Sequence, residues 1–222
     1  YNPGAANLDW LEAGKTLAIT YNLKVYDGTG FSNSQTLTIN ITGTNDGPTV
    51  GAALSAPADE GDTSYTVNLL SGASDLDTGE TATLSVDSVT YTVDGGTASA
   101  TAPAGFSLAG GVLTVDPSNA AFNQLAHNAT TTIVVNYNVK DAQGATVAQT
   151  ATVTITGAND APTVSAAITS SASEGAAAYT LNLLTNASDL DDGETAMLGV
   201  QNVTYAIDGG AAGQAGIPQS PQ

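Results

Sequence analysis

Hydrophobic residues alternate with small or polar residues along most of the chain, a period of two that is typical of half-buried β-strands. The clearest run is Leu17–Val25, in which every odd-numbered residue is apolar or aromatic. The other segments of this kind are Leu37–Ile41, Tyr65–Leu69, Val89–Val93, Val112–Val115, Ile133–Val139 and Ala151–Ile155. Gly, Asp and Asn separate them, as expected of turns. The pattern predicts an all-β fold, an antiparallel Ig-like β-sandwich.

Helix is almost absent from this pattern. Asp116–Phe122 has a proline near its start and predicts at most a single helical turn. Phe122 and Leu125 are predicted to cover one end of the hydrophobic core.

The pattern recurs at a fixed offset. Thr42–Val50, with the sequence TGTNDGPTV, returns 114 residues later (42 to 156) as Thr156–Val164, with the sequence TGANDAPTV. The acidic hexapeptide Asp75–Glu80 returns at the same offset as Asp189–Glu194. A repeat kept in strict register predicts a tandem array of one module.

The Asn-Asp-x-Pro segments are the predicted module boundaries. They make residues 1–47 the C-terminal part of one repeat, 48–161 a complete repeat and 162–222 the N-terminal part of the next. Pro48 and Pro162 fix their own φ and favour extended geometry in the preceding residue. We therefore predict short, stiff linkers and an extended array.

The net charge of −18, from 21 acidic residues against three lysines, excludes nucleic acid as a partner and disfavours an anionic membrane. No apolar run is long enough for membrane insertion. Without cysteine, neither disulfides nor thiolates contribute. The charge fits an extracellular or salt-adapted surface, or a multi-site binder of hard cations, and both can hold together.

The two acidic hexapeptides are the candidate chemistry. Each places three carboxylates within six residues, around a glycine that allows a sharp turn. Calcium suits such a group because it takes six to eight oxygen ligands. A solvated Asx turn explains the hexapeptide alone equally well.

With the Asn-Asp linkers included, the chain resembles the cadherin superfamily, and more closely the cadherin-like VCBS-type repeats of large bacterial adhesins. The resemblance covers the chain up to about residue 210 and implies an extracellular location at a bacterial cell surface. It also implies Ca²⁺ at each junction between repeats. The first junction would use Asn45, Asp46, Asp75, Asp77 and Asp141, with Glu80 as a further ligand. The second would use Glu60, Asn159, Asp160, Asp189 and Asp191, with Glu194 as a further ligand.

The chain departs from animal cadherins in ways that predict fewer ions per junction. Gly43 and Gly157 stand where those proteins have an aspartate before the linker. Asp9 and Glu12 lie where the family has a mid-module acidic motif, but the next repeat has Asn and Ala at the matching positions.

An enzyme is not predicted, because His127 is the only histidine and no nucleophile motif is present. The leading hypothesis is a calcium-rigidified stalk segment of a bacterial adhesin, of the kind found in biofilms, whose partners are its neighbouring repeats. A second hypothesis is an extracellular filament, in which the C-terminal half-repeat of one molecule is completed by the N-terminal half-repeat of the next. The alternative to the filament is a piece of a longer array. A third hypothesis, binding of carbohydrate or another cell-surface ligand, has little support because Trp10 is the only tryptophan.

Overall fold

The computed structural model describes residues 6–206 and 213–214. In chain order its strands are β1 (Thr16–Leu23), β2 (Gln35–Thr42), β3 (Leu54–Asp59), β4 (Tyr65–Asn68), β5 (Ser85–Val93), β6 (Phe106–Ala109), β7 (Val112–Val115), β8 (Thr130–Lys140), β9 (Thr146–Thr156), β10 (Thr163–Val164), β11 (Ala187–Ser188), β12 (Thr204–Tyr205) and β13 (Gly213–Gln214). Within the described residues, helix is confined to two 3-10 turns, Glu80–Thr83 and Glu194–Met197. The predicted all-β class is confirmed.

The middle repeat, residues 48–161, contains two sheets. One has four strands in the order β3-β9-β8-β5, and the other has three in the order β4-β7-β6. The long β8–β9 hairpin pairs Thr130 with Thr156 at one end and Lys140 with Thr146 at the other. This hairpin carries Asp141 in its turn, directly after β8.

The two sheets share one hydrophobic core, so the repeat is sandwich-like. Alternate side chains of β8 and β9 are buried, together with Leu113 and Val115 of β7. Phe122 packs edge-on against Phe106 at a ring-centroid distance of 6.4 Å, and it belongs to the same core. The covering role predicted for Phe122 is confirmed.

The prediction that every strand pair is antiparallel is wrong. β3 runs parallel to β9 and pairs Leu54 with Ala151 and Asp59 with Thr156. Strand alternation reports which face is buried, but it does not report the direction of the neighbouring strand. β3 and β6 were also absent from the predicted segments, because proline and glycine interrupt their surroundings.

The helical turn predicted at Asp116–Phe122 forms turns but no helix. Asn119 donates to the carbonyl of Asp116 at 3.2 Å, and Phe122 donates to that of Asn119 at 3.0 Å. These three-residue steps bring Phe122 onto the core without continuous helical bonding. His127 lies in an exposed turn.

The flanking half-repeats are less ordered into sheets. β1 and β2 form an isolated antiparallel hairpin that pairs Thr16 with Thr42. In the last repeat, residues 168–173 and 179–182 match β3 and β4 in sequence position but form no strand.

Candidate metal centre at the repeat junctions

The first acidic loop, Asp75–Glu80, is fixed by contacts within itself. The Thr81 hydroxyl accepts the Asp75 backbone N–H at 2.8 Å and donates to the Asp75 carbonyl at 3.1 Å. Gly79 takes a left-handed φ of 84°, which a glycine adopts without a steric cost. The chain then turns into the first 3-10 turn, with Glu80 N–H on the Asp77 carbonyl at 3.2 Å.

The second acidic loop repeats this geometry. Thr195 makes the same two bonds to Asp189, at 2.8 and 3.1 Å, and Gly193 has a φ of 83°. Glu194 N–H donates to the Asp191 carbonyl at 3.2 Å. The second loop adopts this geometry although few strands surround it, so the loop conformation is encoded locally.

Each loop gathers its three carboxylates around one point. In both Asp75–Asp77–Glu80 and Asp189–Asp191–Glu194, one oxygen from each residue lies within 4.8 Å of the other two. Asp77 and Asp191 are each 2% exposed, and Glu80 is 6% exposed. Both groups could therefore hold a metal ion.

The linkers reach these loops through their backbones. Asp46 N–H donates to Asp77 Oδ2 at 3.0 Å, and Asp160 N–H donates to Asp191 Oδ2 at the same distance. The linker aspartates predicted from the sequence thus lie beside the loop carboxylates at both junctions. Burial raises the pKa of Asp46, and the nearby charges of Asp9 and Asp77 raise it further.

The preceding repeat also touches each acidic loop, in a contact that sequence reasoning missed. Thr78 donates to the backbone carbonyl of Trp10 through its N–H at 3.2 Å and through its hydroxyl at 2.8 Å. At the second junction, Asp192 N–H donates to the Gln124 carbonyl at 3.0 Å. Trp10 and Gln124 occupy matching positions in the two repeats. Both accept through the backbone carbonyl, which every residue has, so their side chains did not indicate the contact.

Glu60 lies at the second junction although it belongs to the middle repeat. Its Oε2 accepts the backbone N–H of Ala158, in the second linker, at 3.2 Å. Burial raises the pKa of Glu60, and the charges of Asp160 and Asp191 raise it further. The structure therefore brings together Glu60 and the aspartates that the sequence analysis grouped with it.

Glu80 and Asp141 lie at the first junction, and both belong to the middle repeat. Burial raises the pKa of Glu80, and the charges of Asp77, Asp75 and Asp141 raise it further. The Gln143 side-chain amide donates to Glu80 Oε1 and opposes this shift. Gln143 had no distinguishing feature in the sequence, and only the β8–β9 turn places it here.

Asp141 is 3% exposed and accepts three hydrogen bonds. Its Oδ1 accepts the backbone N–H groups of Gly144 at 2.6 Å and Ala145 at 2.8 Å, and its Oδ2 accepts Asn45 Nδ2 at 2.9 Å. Burial alone would raise the pKa of Asp141, but the hydrogen bonds outweigh burial and hold that pKa below its ordinary value.

The two linker asparagines differ. Asn45 is half-buried and bonded to Asp141, whereas Asn159 is exposed and donates to the backbone carbonyl of Asp160 at 2.7 Å. Asn159 therefore lies at the second junction without the side-chain partner that Asn45 has.

Steric crowding explains why glycine precedes each linker, and the sequence analysis did not predict it. A Cβ on Gly43 would lie 2.1 Å from the Leu11 carbonyl oxygen, and one on Gly157 would lie 2.2 Å from that of Leu125. Backbone from the same repeat thus excludes any side chain here, including the aspartate that the resembling family carries.

The junctions share one further property. Among the described residues, the buried side-chain oxygens and nitrogens that lack a hydrogen-bond partner are Asn45 Oδ1, Asp75 Oδ2, Asp77 Oδ1, Glu80 Oε2, Asp160 Oδ2 and Asp191 Oδ1. All are oxygens at the two junctions. A buried oxygen without a donor is costly, and a cation is one partner that would satisfy several at once.

Comparison with protein-family models and with curated proteins gives no match. Within the described part of the chain, no helix combines the length and the apolar character needed to cross a membrane.

Proposed function

We propose that this chain is a calcium-rigidified extender segment of an extracellular bacterial adhesin or surface protein, built from cadherin-like repeats of the VCBS type. The observation that carries the proposal is the set of buried, partnerless oxygens, all of which lie at the junctions between repeats. An ordinary acidic surface leaves its carboxylates in water, where they need no cation.

Calcium is the cation that this donor set favours. The candidate ligands are carboxylate and amide oxygens, which suit hard cations. The chain has no cysteine and only one histidine, His127, in an exposed turn, so a Zn²⁺ site of the usual N and S ligands is disfavoured. Mg²⁺ demands a more regular octahedron and keeps several waters.

The mechanism we propose is mechanical. At the second junction, Glu60 comes from one repeat, Asp160 from the linker, and Asp191 from the next repeat. A cation held by all three would restrict the hinge between the repeats and neutralise charges that otherwise repel. The array would then stay extended where calcium is abundant, as outside the cell.

Small-angle scattering and titration calorimetry test this proposal together. We expect calcium binding in the range of extracellular modules, a Kd of about 10⁻⁴–10⁻³ M, and a shorter maximum dimension in EDTA. The double variant Asp77→Asn with Asp191→Asn should bind weakly and stay compact in calcium. Its control is Asp62→Asn with Asp87→Asn, which removes the same charge from exposed positions. A maximum dimension that does not respond to EDTA would contradict the proposal.

One observation favours a second candidate function, head-to-tail association of this chain. The half-repeats expose positions that the middle repeat buries. Leu23 is 48% exposed where its match Tyr137 is 2% exposed, and Leu183 is 51% exposed where its match Leu69 is 1% exposed. A second copy carries the complementary half-repeat and would cover both faces.

Sedimentation of the 222-residue chain at rising concentration tests this association. We expect oligomers that dissociate on Leu23→Asp, which places a charge on the face to be covered. Asn22→Asp is the matched control, because Asn22 is its neighbour on the opposite face of β1. A monomer at all concentrations would exclude the second candidate and leave the calcium proposal untouched.

A further inference from the structure

We infer that Asp141 is a positioning residue, which orients Asn45 so that the Asn45 amide oxygen faces the acidic loop. In this arrangement Asn45, and not Asp141, supplies the oxygen to the cation. The inference rests on the calcium site proposed above and assigns different roles to two of its residues.

The hydrogen bonds of Asp141 already engage both of its oxygens. Oδ1 receives Gly144 and Ala145 from the β8–β9 turn, and Oδ2 receives Asn45. Unlike Asp75, Asp77 and Glu80, Asp141 has no buried oxygen without a partner. Its carboxylate therefore holds the turn and the linker asparagine together.

The bond to Asp141 fixes which end of the Asn45 amide is turned toward that carboxylate. A carboxylate oxygen can only accept, so Asn45 must present its Nδ2, and the distance is 2.9 Å. The Oδ1 of a planar amide then points away from Asp141. Asn45 Oδ1 is buried and has no hydrogen-bond partner, and the same is true of Asp77 Oδ1 and Glu80 Oε2.

The second junction supplies an internal comparison. There Asn159 turns to the carbonyl of its neighbour Asp160, and its Oδ1 is not among the buried unpartnered atoms. Asparagines in the same motif thus differ in orientation: Asn45 donates to a buried carboxylate, and Asn159 donates to a backbone carbonyl.

A thermodynamic cycle on calcium affinity separates positioning from direct binding. The variants are Asn45→Ala, Asp141→Asn and the two combined, each titrated with calcium in the full chain. An amide at position 141 would turn an N–H toward Asn45, so Asn45 would flip and point its own N–H₂ at the cation. We expect Asp141→Asn to weaken binding at the first junction by about tenfold to a hundredfold, as supporting residues of metal sites do.

The combined variant decides between the two roles. If Asp141 acts only through Asn45, adding Asp141→Asn to Asn45→Ala should change the affinity by no more than about twofold, the usual error of additivity. If Asp141 binds the cation directly, the second substitution should cost as much in the Asn45→Ala background as alone. That result would overturn the inference but leave calcium binding intact.

A metal-free measurement tests the orientation independently of calcium. In the unchanged chain in EDTA, NMR should show the Asn45 side-chain NH₂ protected from exchange with water, relative to that of exposed Asn159. In Asp141→Asn that protection should disappear, while the melting temperature in EDTA reports whether the turn survives. Equal exchange of Asn45 and Asn159 in the unchanged chain would refute the positioning role. Absence of calcium binding by the unchanged chain would instead refute the proposed function and, with it, this assignment.

Discussion

Asp77 is the residue whose substitution should change stability in opposite directions with and without calcium. Its side chain is 2% exposed, Oδ2 accepts the Asp46 N–H at 3.0 Å, and Oδ1 has no partner. Asp77→Asn keeps an oxygen that can accept this N–H. The substitution therefore removes a charge and a candidate ligand while it leaves the linker contact in place.

In the metal-free chain the lost charge should stabilise the fold. The Asp77 carboxylate has an oxygen within 4.8 Å of oxygens of both Asp75 and Glu80, and among the residues that the structure describes none of the three carboxylates has a basic partner. Like charges at this separation repel in a partly buried site. We expect Asp77→Asn to melt higher than the unchanged chain in EDTA.

In calcium the same substitution should destabilise the fold. At 10 mM calcium, a site with a Kd of about 10⁻⁴–10⁻³ M is at roughly ten to a hundred times its Kd. Binding then contributes about 1.4–2.7 kcal/mol, which Asp77→Asn would largely remove. For a repeat of about a hundred residues, at roughly 4 °C per kcal/mol, the melting temperature should fall by about 5–10 °C.

Circular dichroism melting in EDTA and in 10 mM calcium measures both effects. Asp62→Asn is the control, because Asp62 is an exposed acid of the same repeat outside the junction loops. It should shift both melting temperatures little and in the same direction. If Asp77→Asn shifts stability equally in the two conditions, the carboxylates of this loop do not bind calcium, and the reasoning from unpaired oxygens is wrong.

Three further predictions concern the rest of the junction and the core. Gly157→Ala should destabilise the chain by several kcal/mol, because the added Cβ would lie 2.2 Å from the backbone carbonyl oxygen of Leu125. Urea unfolding would measure the change in the free energy of unfolding. A decrease of under about 1 kcal/mol would show that the two backbone segments can move apart. Tyr137→Phe should lower the free energy of unfolding by about 1–3 kcal/mol, because the buried Tyr137 hydroxyl donates to the Leu69 carbonyl at 2.7 Å. Burial also raises the pKa of this hydroxyl to about 12. An unchanged unfolding midpoint in the same urea assay would argue against that hydrogen bond. The metal-free chain should melt at a higher temperature at pH 5 than at pH 7. Asp46, Glu60 and Glu80 have raised pKa values and bind protons more tightly in the folded chain, so stability falls as the pH rises above the ordinary pKa values of 3.8 for Asp and 4.5 for Glu. A melting temperature that rises from pH 5 to pH 7 would contradict this prediction.

The acidic loops could be predicted from the sequence because the contacts that shape them are local. Thr81 bonds to Asp75, six residues away, and the same spacing returns with Thr195 and Asp189. A glycine at the fifth loop position completes the turn in both copies. Local contacts of this kind recur whenever the sequence recurs.

The contacts that join the repeats were only partly predictable. Asn45 and Asp141 are 96 residues apart, and the sequence analysis grouped them through a resemblance alone. The direction of their hydrogen bond, the amide of Gln143 on Glu80, and the Trp10 carbonyl under Thr78 all depend on how distant segments dock. The types and spacing of the residues along the chain do not predict how these segments dock.

By itself the sequence determined most of the strand pattern, the repeat of 114 residues and the position of the acidic loops, because alternation, turns and Asx-type contacts act over a few residues. The tertiary structure alone decided which strands pair. Residues 54–59 form β3 beside β9, about a hundred residues later in the chain, because a strand needs a neighbour to receive its backbone hydrogen bonds and only the fold supplies one. It also decided which oxygens are buried without a partner, since burial depends on what the rest of the fold places around them.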